Sequence, residues 1–231
     1  MWNDPSTWRV IVTGGSSGLG AAVCHRLDEI GARVVSIDRR DSDRVPTVPA
    51  DLSVGGEAED ATRTAIDRLG GDVDAVVCCA GIDVPGPFGK TEGATWERIV
   101  AVNLFGTAAV VRAALPRLEA SSGRVVTVAS TLAHRAVGDA TAYCASKFGV
   151  VGFTRALAAE YKGRVGVTLL TPGGMRTAFF DDRPETYRPP PGAALADAAD
   201  VAESVVWALG RPAGVEVKEL AIMAPAEGSW P

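Results

Sequence analysis

Short runs of β-branched residues, at 9–13 (RVIVT), 33–37, 75–79 and 124–129, alternate along the chain with longer Ala- and Leu-rich segments whose apolar residues recur every three or four positions. Strands that are apolar on both sides must be covered on both sides, and a strand followed by an amphipathic helix is the unit that builds such a sheet in parallel. Further strands are expected at 47–49, 165–170 and 217–223, and helices near 19–30, 58–69, 95–118, 142–161 and 198–209. Gly31 and Gly210 follow the first and last of these helices, where a residue tolerant of positive φ closes a helix cheaply. The expected architecture is therefore α/β: a doubly wound parallel sheet of seven strands with helices on both faces, formed by all 231 residues as a single domain without internal repeats.

Charge and composition remove several function classes. With 23 basic against 28 acidic residues, dispersed rather than clustered, nothing attracts nucleic-acid phosphates or anionic lipid. Cys24, Cys78, Cys79 and Cys144 show no metal-ligand spacing, no metal site is expected, and adjacent Cys78 and Cys79 should point to opposite faces of a strand. The opening MWNDPSTWRV has no basic region followed by an apolar stretch, and no later apolar run is read as reaching the roughly 20 residues that span a bilayer. A soluble, cytoplasmic protein with reduced thiols is the expectation. One segment breaks the alternation: 177–194 holds Pro184, Pro189, Pro190 and Pro191 without periodicity, and reads as a mobile surface loop with a function.

Straight after the first strand comes Thr13-Gly14-Gly15-Ser16-Ser17-Gly18-Leu19-Gly20, leading into the first helix. Glycines let backbone approach a pyrophosphate without a Cβ clash, and the free N–H groups of a helix N-terminus favour the negative charge. The spacing differs from G-x-G-x-x-G, and a glycine turn alone is weak evidence. Asp38, at the end of the second strand and 18 residues past Gly20, stands close to where an acidic side chain binds the adenosine ribose hydroxyls. A carboxylate there repels a 2′-phosphate and favours NAD, whereas Arg39 or Arg40 could receive that phosphate if Asp38 turned away.

Tyr143 and Lys147, in Tyr-Cys-Ala-Ser-Lys, are four apart on an expected helix and share one face. An ammonium beside a phenol stabilises the phenolate and lowers its pKa, which would make Tyr143 a usable proton shuttle near neutral pH. Ser130 ends the fifth strand, at the sheet edge where α/β proteins bind ligands. Asn103 sits mid-helix, where a polar amide with no cap to form is disfavoured unless it has another task.

Together, TGGSSGLG, Asp51-Leu52, CCAG, Asn103, Ser130, YCASK and PGGMRT resemble, in order and over nearly the whole chain, the short-chain dehydrogenase/reductase family. The resemblance implies a Rossmann-type fold and a tetrad of Asn103, Ser130, Tyr143 and Lys147, with the Ser–Tyr spacing of 13 residues typical of the family. It also implies a cofactor site of Gly14, Ser16, Ser17, Gly18, Leu19 and Gly20 at the turn, Asp38 and Arg39 at the ribose, and Asp51 and Leu52 at the adenine. Ala80 and Gly81 would pass beside the ribose, Pro172, Gly173 and Thr177 would approach the nicotinamide, and Asn103, Tyr143 and Lys147 would contact the cofactor as well. In the implied mechanism, hydride moves between NAD, or less favourably NADP, and a secondary alcohol or ketone, and Asn103 holds a water that relays the proton. Two departures stand out: Cys78-Cys79 replace the usual Asn-Asn, and the usual Val-Asp-Gly-Gly near the end is absent. Candidate substrate contacts are Phe88, Leu132, His134, Arg135, Met175, Phe179 and Phe180, with Arg135 or Arg176 available to a carboxylate or phosphate. Family members often pair through the helices equivalent to 95–118 and 142–161, so a homodimer or homotetramer is expected. The rival readings are an NADPH-dependent ketoreductase of an oxoacyl or other carbonyl, and a dinucleotide-binding regulator without turnover.

Overall fold

The computed structural model describes residues 4–230, so the first three residues of the opening segment and Pro231 lie outside it. Seven parallel strands form one sheet: β1 (Arg9–Thr13), β2 (Arg33–Asp38), β3 (Thr47–Pro49), β4 (Ala75–Cys78), β5 (Arg124–Val128), β6 (Gly166–Pro172) and, last in the chain, β9 (Glu219–Ile222). Two further strands, β7 (Met175–Arg176) and β8 (Ala196–Asp197), pair with each other apart from the main sheet. They were not foreseen, because two-residue strands carry no periodicity to read.

The strand order is β3-β2-β1-β4-β5-β6-β9. The chain winds outward from β1 in one direction and then restarts at β4 in the other, so the carboxyl ends of β1 and β4 open a crevice between them. Alternate residues of each strand enter two cores. Ile11, Val35, Val76, Cys78 and Val125 pack under α2 (Gly55–Arg68), α4 (Thr107–Ser121) and α5 (Thr141–Glu160). Val10, Val12, Val34, Val77 and Val126 pack under α1 (Gly18–Glu29) and α6 (Ala198–Leu209). Two apolar faces per strand explain why the strand sequences run on without polar alternation. Cys78 and Cys79 take opposite faces as expected, one in each core, so apolar packing stands where amides were anticipated to brace the sheet.

The helix expected at 95–118 is continuous over Gly93–Ser121, but in three parts: α3 (Gly93–Val100), a π-helical turn at Ala101–Gly106, and α4. This corrects the expectation that no apolar segment approaches membrane-spanning length, since by length and composition this helix could cross a bilayer. Half of its most apolar window is nevertheless buried inside the protein.

Candidate functional site

One cavity of about 760 Å³ occupies the crevice at the carboxyl ends of the strands. Its near end is the glycine turn. Gly14 adopts φ 75°, and a Cβ there would lie 2.9 Å from the Ala80 backbone. A Cβ on Gly20 would overlap the Gly14 carbonyl. The side chain of Thr13 accepts a hydrogen bond from Ala80 N at 3.1 Å, tying the turn to the segment after β4. Ser17, the residue before α1, makes no side-chain cap, so the leading N–H groups of that helix are left for an anion. These features fit a dinucleotide pyrophosphate.

Asp38 is held in place by three hydrogen bonds. Its Oδ2 accepts from Ser16 N at 3.1 Å and Ser16 Oγ at 2.8 Å, and its Oδ1 accepts from Arg40 N at 3.1 Å. Farther along, Asp51 pairs with Arg98 at 2.8 Å. Burial acts to raise the pKa of Asp51, but hydrogen bonds from Ser53 and Arg98 outweigh it and bring it to about 2. Arg98 also lines the cavity and had no signal in the sequence, because arginines on helix faces are ordinarily solvated.

At the opposite end stand Ser130, Tyr143 and Lys147. Ser130 begins a short 3-10 turn at the end of β5, and its Oγ accepts from Leu132 N at 3.1 Å. Burial around the Tyr143 hydroxyl pushes its pKa up to about 12, with the Ser130 hydrogen bond acting in the opposite direction. Burial also lowers Lys147, to about 8. Its Nζ donates to the Val128 carbonyl at 2.8 Å and stands 5.7 Å from the Tyr143 ring centroid. Desolvation dominates both groups, so the expected depression of the phenol by this ammonium is not seen.

Asn103 lies in the π-helical turn and is 1% exposed. Its Oδ1 accepts from Ile82 N at 2.8 Å, and its Nδ2 donates to Ile82 O at 3.0 Å and Ser146 Oγ at 3.0 Å. The side-chain amide thus locks the strand-end segment to α5 and has no N–H left for a relay water. Asn103 is also the one expected cofactor contact that does not line the cavity; the others, from Gly14 to Thr177, all do.

The family model for short chain dehydrogenases matches residues 9–188. An uncharacterized oxidoreductase of Staphylococcus aureus (strain MW2) is 33% identical over 225 residues, which cover 92% of this chain and 95% of the relative. The chain belongs to the short-chain dehydrogenase family. Solved structures agree in fold. An alcohol dehydrogenase from Thermococcus sibiricus, complexed with 5-hydroxy-NADP, superposes with a TM-score of 0.84 at 24% identity, over 94% of this chain and 96% of that one. A dehydrogenase/reductase from Sinorhizobium meliloti 1021 gives a TM-score of 0.81 at 26% identity, over 96% of each chain. Short-chain dehydrogenases are oxidoreductases that use NAD(P) and act on CH–OH groups, and this chain is such an enzyme.

The substrate wall of this short-chain dehydrogenase departs further from expectation. Leu132, Met175, Phe179 and Phe180 line the cavity, but Phe88, His134, Arg135 and Arg176 do not. Phe88 is 68% exposed on a surface turn. His134 instead contacts Thr171 Oγ1 at 3.3 Å and the Trp230 ring at 5.5 Å between centroids, and Arg135 donates to the Gly228 carbonyl at 2.8 Å. Arg176 lines a smaller, adjoining cavity that shares Thr177, Phe180 and Leu195 with the main one. Two wall components were missed. One is the pair Asp83 and Arg183; the other is the tail, where Glu227 accepts from Gly174 N at 2.8 Å and Ser229 Oγ meets Thr131 Oγ1 at 2.6 Å. The loop read as mobile is anchored, with Tyr187 Oη donating to Asp139 Oδ2 at 3.0 Å and Arg183 paired to Asp83.

Proposed function

We propose that this enzyme transfers hydride between NAD and a secondary alcohol, or in reverse from NADH to the ketone, as one dinucleotide-binding domain with its substrate loop near 175–195. One observation carries the reading: a single cavity runs from the glycine turn and Asp38 to Ser130, Tyr143 and Lys147. A bound nicotinamide supplies the hydride acceptor. Ser130 Oγ hydrogen-bonds the substrate oxygen, and Tyr143 takes or returns the hydroxyl proton. Lys147, lowered to about 8 by burial, keeps its Nζ 5.7 Å from the Tyr143 ring centroid, on the side from which it can act on the phenol and the nicotinamide ribose. Asn103 is the positioning residue that holds Ile82 and Ser146.

The three hydrogen bonds on Asp38 support NAD over NADP, because a carboxylate fixed at this end of the cavity would repel a 2′-phosphate and could accept from ribose hydroxyls. Arg39 and Arg40 line the same end of the cavity and favour the second reading, an NADPH-dependent ketoreductase. Titrating the protein separately with NADH and NADPH, read by nicotinamide fluorescence, decides between them. Tighter NADH binding is expected, and tighter NADPH binding would transfer the assignment to the ketoreductase.

Assembly as a homodimer or homotetramer through the helices at 95–118 and 142–161 is supported by Phe105 and Phe148, one exposed on each of them. A cytoplasmic setting is in keeping with four free cysteines.

A further inference from the structure

Ser130 owes its place to a turn of three residues, Thr131–Ala133. A 3-10 turn this short has poor hydrogen-bond geometry and depends on what packs around it. On its inner side Ala133 belongs to one apolar cluster with Val150 and Val151 of α5. Its other contacts are with the tail. Thr131 Oγ1 lies 2.6 Å from Ser229 Oγ, Arg135 Nη1 donates to the Gly228 carbonyl at 2.8 Å, and the His134 ring stands 5.5 Å from that of Trp230. Every polar side chain from 131 to 135 therefore meets the segment 228–230.

That segment is itself anchored on the far wall of the cavity. Glu227 is ionised, since hydrogen bonds hold its carboxyl below the usual 4.5, and a carboxylate only accepts. Ser229 Oγ gives its one proton to Glu227 Oε1 at 2.8 Å, so it must accept from Thr131. Glu227 Oε2 accepts from Gly174 N at 2.8 Å, just past the end of β6. A directed chain of hydrogen bonds thus spans the ends of β5 and β6, and bonds aligned in this way strengthen one another. Ser130, Glu227 and Ser229 all line the main cavity.

We propose that Ser229 and Glu227 clasp the Ser130 turn and so hold the Ser130 hydroxyl where it meets the substrate oxygen and Tyr143. Ser229 is a positioning residue: it touches Thr131 and acts on the reaction through the turn. The role rests on the dehydrogenase reading above. Two groups report on it. The Leu132 N–H donates to Ser130 Oγ at 3.1 Å, and the Ser130 hydrogen bond to Tyr143 opposes the upward push of burial on the phenol.

Hydrogen exchange at the Leu132 amide, followed by NMR, reads the turn without any substrate. In Ser229→Ala that exchange should quicken by about 3–10-fold relative to the sheet amides, the value of one hydrogen bond. Ser229→Thr, which keeps the hydroxyl, should restore it. With NAD and 2-butanol, cyclohexanol or 1-phenylethanol, kcat of Ser229→Ala should fall by about 3–10-fold at little-changed KM for NAD. The rise of kcat/KM with pH should also move to higher pH, as the phenol loses the Ser130 bond. A residue that only stabilises the fold would quicken exchange in all strands alike and leave the pH profile in place, which overturns the proposal. So does faster exchange at Leu132 with unchanged turnover, since Ser130 would then not depend on the turn. A wild type that binds NADH and oxidises none of these alcohols would instead overturn the underlying dehydrogenase reading, while exchange at Leu132 still decides whether the tail holds the turn.

Discussion

The two ends of the cavity differ in how they are built. At the cofactor end, most neighbours in space are neighbours in sequence or lie at the ends of adjacent strands, Gly14 against Ala80 and Ser16 against Asp38, with the Asp51–Arg98 pair the exception. At the substrate end, Asp83, Arg183 and Glu227 converge from three segments separated by 100 and 44 residues. A fixed ligand part, the pyrophosphate and ribose, imposes spacing that a turn and two strand ends can satisfy. A variable ligand part leaves its wall to loops, where contact depends on how a long segment folds back.

The largest effect is expected at Tyr143, at the end opposite the glycine turn. Tyr143→Phe should lower turnover by about 10²–10⁴-fold while NADH affinity stays close to wild type. Steady-state kinetics with a fluorescence titration separates the two quantities. Near-normal turnover would remove the proton-transfer assignment and leave the cavity as a binding site alone. Next in size is Asp38→Ala, which takes away the ribose ligand and frees Ser16. The NADH-to-NADPH affinity ratio should drop by about 10–100-fold, the value of one or two hydrogen bonds to a charged group. An unchanged ratio would mean that Arg39 and Arg40 already govern the ribose end.

The strands and helices were legible because burial on two faces leaves an unbroken apolar signature, and six of the seven sheet strands begin within one residue of expectation. The tetrad and turn were legible because they follow secondary structure at fixed offsets. The misses have physical reasons. Phe88, His134 and Arg135 follow strand ends in sequence, yet each turns away from the crevice, toward solvent, Thr171 and the tail. The π-helical turn at Asn103 is one hydrogen-bond register different from an α-helix, which no apolar period reveals. Lys147 and Tyr143 were read as a charge pair, whereas desolvation, a three-dimensional quantity, sets both pKa values.

Asn103 offers a smaller effect that tests positioning. Asn103→Ala takes from half-buried Ile82 N and O, and from Ser146 Oγ, their side-chain partner and should cost about 1–3 kcal/mol. For a chain of this size each kcal/mol corresponds to roughly 2–4 °C in Tm. Calorimetry should show that loss together with a lower kcat at little-changed KM for NAD, since Asn103 does not line the cavity. A variant as stable as wild type would mean that Ile82 finds other partners.

The tail should give the smallest effect and the one confined to the substrate end. Burial acts to raise the pKa of Glu227, but hydrogen bonds from Gly174, Ser229 and Gly228 outweigh it and hold the carboxyl below its usual 4.5. A carboxyl with a depressed pKa in the folded chain contributes stability above its unfolded value and loses it as pH falls through the folded one. The tail should therefore loosen below pH 4.5, and Trp230, packed edge-on against His134, is placed to report it. Fluorescence of wild type less that of Trp230→Phe isolates this tryptophan from the other four. Glu227→Gln should erase the acid-dependent change while leaving NADH binding largely intact. If NADH affinity fell together with the Trp230 signal, the tail would belong to the cofactor end, and the division between a locally encoded half and a loop-built half would have to be redrawn at Gly174.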